Sequence, residues 1–130
     1  MVNPSIEIKF GTHGFLNIFR AYGLHFMLFG DKETFTMAHV SPNHFAKIDA
    51  ELKFAYRKHT DSRLLEWESV REEENLAPYN HTLQFKYDKN KGVTLIATTE
   101  HLDRKTTVTI PLTEEDIKKI HNVLVSNLAE

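Results

Sequence analysis

Ile6-Glu7-Ile8-Lys9-Phe10 and Leu83-Gln84-Phe85-Lys86-Tyr87 are the two stretches from which the fold is read. Each alternates apolar and polar residues, carries Lys in fourth place and ends on an aromatic ring. Period-two alternation makes a strand with one buried face. Ile6, Ile8 and Phe10 then face one way, Glu7 and Lys9 the other. Leu83, Phe85 and Tyr87 divide from Gln84 and Lys86 in the same manner. A turn closing in glycine follows each: Gly11-Thr12-His13-Gly14, and Asp88-Lys89-Asn90-Lys91-Gly92. A second strand begins after each turn, at Phe15 and at Val93.

The match resumes downstream, and self-similarity of this kind points to a repeated unit. Thr34-Phe35-Thr36-Met37 answers Thr107-Val108-Thr109-Ile110, with Thr alternating against apolar residues. Ser41 answers Thr113, just ahead of a helix. Ser41 is a favoured N-cap, and Pro42 suits the first helical position. Phe45, Ile48, Leu52, Ala55 and Tyr56 recur at helical spacing. In the second copy Thr113 caps, Asp116 stands three residues on, and Ile117, Ile120, Leu124 and Leu128 form the stripe. An amphipathic helix after an amphipathic sheet lies across that sheet, burying both apolar faces. The predicted class is α+β, with two tandem antiparallel-sheet-plus-helix repeats forming an intramolecular pseudo-dimer.

Repeat one covers residues 5–59 and repeat two 81–130, within a single domain of residues 1–130. The first repeat has an additional apolar stretch, Leu24 to Phe29, which reads as an extra strand. Between the repeats lies an acidic connector, residues 60–80. Leu64, Leu65, Trp67 and Val70 give it the pattern of a short helix from Asp61 to about Asn75, ended by Pro78. Glu66, Glu68, Glu72, Glu73 and Glu74 oppose Arg71 alone on that stretch. Of the nine phenylalanines, Phe10, Phe35, Phe45 and Phe85 fall on buried phases. Phe15 to Phe29 fits no single period, which leaves Phe19, Phe26 and Phe29 unassigned.

Composition sets the outer bounds. The 130 residues carry a net charge of −2, with 41% hydrophobic and 26% charged residues, which suits a globular domain with a core. Cysteine is absent, so disulfide and thiolate chemistry are excluded. No apolar run approaches membrane-spanning length. The opening Met1-Val2-Asn3-Pro4 has neither a basic nor an apolar signal region, and a cytoplasmic location is expected. Setting the acidic connector aside leaves the remainder mildly basic, which permits a polyanionic partner.

Tandem units of antiparallel strands followed by one helix resemble single-stranded nucleic-acid binders of the Whirly, Pur-alpha and positive-cofactor-four type. The resemblance rests on element order over nearly the whole chain. It implies intertwined units with packed helices, and curved outer sheet faces presented to unstacked bases. Such a surface needs cations along phosphates and rings on which bases stack. The candidates are Lys9 and Lys86 on strand faces; Lys89 and Lys91, then Arg104 and Lys105, near turns; Arg20 and Tyr22 at a strand end; and Tyr87. The implied partner is single-stranded DNA or RNA, read with low sequence specificity and without a cofactor. Self-association is expected because sheet edges and helix faces are left to cover. The family members are often more basic, and the connector is opposite in sign. A second reading therefore makes the chain a protein-interaction module or a phage or bacterial inhibitor, acting through Trp67, Glu68, Glu72, Glu73 and Glu74.

Catalytic signatures are missing from the sequence. It has no GxGxxG or Walker loop. Ser5, Ser41, Ser62, Ser69 and Ser126 lack a nucleophile-elbow context. The eight histidines show no HExxH or paired-ligand spacing, so no metal site is assigned. Glu114-Glu115-Asp116 suits the dipole of a helix start. A binding protein, not an enzyme, is expected.

Overall fold

A computed structural model describes residues 5–21, 24–58, 63–69 and 78–128. The first half runs β1 (Ser5–Phe10), β2 (Gly14–Ala21), β3 (Leu24–Gly30), β4 (Phe35–Val40) and α1 (Pro42–Tyr56). The second runs β5 (Leu65–Ser69), β6 (Tyr79–Asp88), β7 (Gly92–His101), β8 (Arg104–Leu112) and α2 (Glu114–Leu128). Each half forms one four-stranded antiparallel sheet, ordered β1-β2-β3-β4 and β5-β6-β7-β8. The expected α+β tandem arrangement is present, with one helix after each sheet. Gly11 and Gly92 take the positive φ, +58° and +79°, that their hairpin turns require.

The two halves interlock. α1 packs along α2 and also reaches β6, while α2 reaches β1. Strand β4 meets β5, β7 and β8 of the other sheet. The core is continuous through both halves: Phe10, Leu16, Ile18, Met27 and Phe45 bury with Leu83, Phe85, Leu95, Ile110 and Leu124. Both helices begin with side-chain-to-backbone capping bonds. The Ser41 amide donates to His44 Nδ1 at 2.8 Å, and the Thr113 amide donates to Asp116 Oδ2 at 2.9 Å.

A polar chain crosses between the sheets. Ser69 Oγ lies 2.7 Å from His81 Nε2, and His81 Nδ1 lies 3.1 Å from Thr99 Oγ1. Thr99 is hydrogen-bonded in turn to Thr36 of the first sheet. His81 is 2% exposed, so these partners replace the water it loses.

Three expectations need correction. The connector predicted as helical forms strand β5 at Leu65–Ser69. Leu65 and Trp67 pack toward the core while Glu66 and Glu68 stay exposed, a period of two. Ile6–Phe10 therefore corresponds by topology to β5, not to Leu83–Tyr87, which lies on the second strand of its sheet. Lys9 and Lys86 consequently occupy non-equivalent strands. Finally, β4 has the opposite phase: Thr36, Ala38 and Val40 are buried, while Phe35 is 67% exposed. The bond to Thr99 makes an inward Thr36 tolerable.

Candidate nucleic-acid interface

The strand registers define what each sheet presents outward. On the first sheet one row reads Lys9, Phe15, Gly30, Phe35; the next Glu7, Asn17, Leu28, Met37; the third Ser5, Phe19, Phe26, His39. Four phenylalanines thus share one outer face. Phe19 and Phe26 stack at 5.3 Å between ring centroids, 16° from parallel, and His39 stands 5.6 Å from Phe26. The ring of Phe15 lies over Gly30, in space that a Cβ there would occupy. Beside it opens a 370 Å³ cavity bordered by Phe15, Asn17 and Leu28, with two lysines, Lys9 and Lys32, and two carboxylates, Glu7 and Asp31. Asn17 Oδ1 is buried and has no hydrogen-bond partner among the described residues.

Charges are sparse on this face. Lys9 Nζ is 3.7 Å from Glu7 Oε1, and the Lys9 side chain is 78% exposed. Asp31, in the β3–β4 turn, accepts hydrogen bonds from the Glu33 and Thr34 amides at 2.8 and 2.7 Å. These bonds hold its pKa below the ordinary carboxylate value, and it stays ionised beside Lys32.

The second sheet presents different rows: Lys86, Thr94, Pro111; Gln84, Ile96, Thr109; Glu66, Thr82, Thr98, Thr107; Glu68, Asn80, Glu100, Lys105. Hydroxyls and charges replace rings there, and Thr98 and Thr107 are within 3.2 Å through their Oγ1 atoms.

The fold is similar to that of a plant transcriptional regulator. The solved structure of that protein, PBF-2, matches with a TM-score of 0.63 over 98% of this chain and 89% of its own, at 10% sequence identity. The likeness is one of fold. No protein-family model matches the sequence, and no curated protein matches it.

On this fold the cations named from sequence fall into separate groups. Lys86, Lys89 and Lys91 gather at the β6–β7 hairpin end of the second sheet. Arg104 and Lys105 follow the β7–β8 turn at the opposite end. The length of β7, Gly92–His101, separates the two groups by about 30 Å. Lys9 belongs to the other sheet, and exposed Arg20 stands near the end of β2 beside His25. Tyr87 turns inward and packs, half-buried, against the core. Tyr22 lies outside the described residues.

Of the residues assigned to a protein-interaction helix, Trp67 also points inward. Its indole N–H donates to the His39 carbonyl at 2.9 Å, and its ring lies 5.0 Å from that of His44. Glu68 is exposed on strand β5, and Glu72, Glu73 and Glu74 lie outside the described residues.

Sequence reasoning missed the ring-bearing face. A usable signal was present in Phe15-Leu16-Asn17-Ile18-Phe19, where both phases of one strand are apolar. A strand of that kind has two faces that favour cover, and only one can face its own core.

Proposed function

We propose that this protein binds single-stranded nucleic acid with little sequence preference, through the outer face of its first sheet, as a non-enzymatic binder. The observation that carries the proposal is the grouping of half-buried Phe15, Phe19 and Phe26 with exposed Phe35 on the outer face of one sheet. Rings on a strand platform accept any unstacked base, because every base has a π-face. Lys9 and Lys32, bordering the cavity beside Phe15, supply cations for the phosphates. Support also comes from the resemblance in element order to Whirly-type binders, and from the fold shared with a transcriptional regulator.

The lysines of the second sheet have a different part in this reading. Lys86, Lys89 and Lys91 attract the polyanion at long range and extend the path of a longer strand.

Fluorescence anisotropy with labelled oligo-dT and a labelled duplex, at two salt concentrations, tests the proposal. The expected result is micromolar or tighter binding to oligo-dT that weakens with salt, with the duplex bound less tightly. Absence of oligo-dT binding at low salt overturns it. Equal affinity for the duplex would also contradict base stacking, since paired bases are inaccessible to the rings.

A further inference from the structure

Between the second half of α1 and the first half of α2 lies a cavity of 310 Å³. Buried Leu52 and Ile117 form its apolar base, and Tyr56 lines it. Lys53, Arg57, Lys118 and His121 surround these apolar groups, and no acidic residue lines the cavity among the described residues. Asp49 contacts two of these basic side chains, His121 and Lys53. It sits 2.6 Å from His121 Nδ1 and 3.2 Å from Lys53 Nζ.

The pseudo-symmetry of the helices supplies an internal control. α1 and α2 are each 15 residues long and start directly after the capping residues Ser41 and Thr113. Position by position, Leu52 answers Leu124 and Ile117 answers Phe45, so the packing residues remain apolar in both copies. Lys53 answers Val125, and Lys118 answers Ala46. The cations therefore stand on one side of the pseudo-twofold only. The matching Val125 and Ala46 are exposed, as Lys53 and Lys118 are, so contact between the helices does not dictate the basic side chains.

We infer that this cavity is a binding site for a small amphiphilic carboxylate. The apolar tail lies against Leu52 and Ile117, and the head group meets Arg57 and Lys118. The volume is at the small end of the range for ligand sites. The Arg57 guanidinium offers a fork matched to a carboxylate. The site is distinct from the sheet faces, and the inference does not rest on nucleic-acid binding.

Titration of the whole chain with octanoate, followed by amide chemical shifts, tests this, with 1-octanol as the uncharged analogue. Saturable shifts are expected at α1 and α2 around Leu52, Arg57, Ile117 and Lys118. Octanol is expected to bind more weakly. The double variant Arg57→Ala/Lys118→Ala removes two exposed cations and weakens octanoate binding about tenfold or more. Octanoate shifts that are absent, or confined to the outer face of the first sheet, overturn the inference. So does octanol binding as tightly as octanoate, a comparison made on the unmodified protein. Octanoate binding that persists without oligo-dT binding would leave this site standing and remove the nucleic-acid reading; the reverse would separate them the other way.

Discussion

The inner faces of the two sheets match, and their outer faces do not. Strand registers make Leu16 answer Leu83, Ile18 answer Phe85, and Met27 answer Leu95, all buried. On the outside, the same registers set Phe15 against Thr82, Phe19 against Lys86, Phe26 against Thr94, and Phe35 against Thr107. Folding requires the first set of correspondences, because both halves share one core. It does not require rings on the outer face, where Phe35 is exposed and Phe15, Phe19 and Phe26 are half-buried, at a cost in unburied apolar area. The proposed binding face rests on this difference: rings occur on the outer face of the first sheet, and hydroxyls and charges at the matching places of the second.

The largest effect should come from disturbing what the halves share. Leu52→Ala and Leu124→Ala delete equivalent buried side chains, each 1% exposed or less. Each is expected to cost ~2–5 kcal/mol in denaturant unfolding, with both halves lost in one transition. If one variant were nearly neutral, or the halves unfolded separately, the shared core would be a poor description.

Next comes the contrast between faces. Phe26→Ala should weaken oligo-dT binding by about tenfold, since stacking is worth ~1–3 kcal/mol per base. Thr94→Ala, at the matching place, should change affinity less than about twofold. Similar losses in both would erase the distinction. Gly30→Ala probes the same face more gently. A Cβ at Gly30 displaces the Phe15 ring, so oligo-dT affinity falls while the core stays intact.

The smallest effect separates the two helix caps. His44 and Asp116 occupy matching positions and accept matching bonds. Burial first, then the nearby charges of Lys47 and His39, lowers the His44 pKa. A lowered histidine pKa means the folded state disfavours the proton that the unfolded chain accepts. Stability from this cap is therefore full above about pH 6.5 and declines as pH falls through it. His44→Asp should flatten that decline between about pH 7 and 5.5, measured as the change in urea midpoint. An unchanged slope would show that His44 is not the group responsible.

Much of this architecture could be read from residues alone. Ser41-Pro42 and Thr113 marked both helix starts, and apolar spacing gave both stripes. Alternation located β1, β6, β7 and β8. Strand β5 was hidden because Leu64, Leu65, Trp67 and Val70 satisfy a helical period as well as a strand, and short runs cannot be separated by pattern. The phase of β4 was hidden because the partner that lets Thr36 point inward, Thr99, lies 63 residues away in sequence. Misreading β4 placed Phe35 in the core and left the ring-bearing face unseen. Positions of single lysines were legible, but their separation across two sheets depends on strand order, which short repeats did not reveal.

Amide-shift mapping with unlabelled oligo-dT tests the central claim most directly. The account predicts perturbation along β2, β3 and β4, centred on Phe19, Phe26 and Phe35, with Thr94 and Thr107 on the other sheet little affected. Perturbation concentrated on the threonine face, or spread evenly over both sheets, would contradict it.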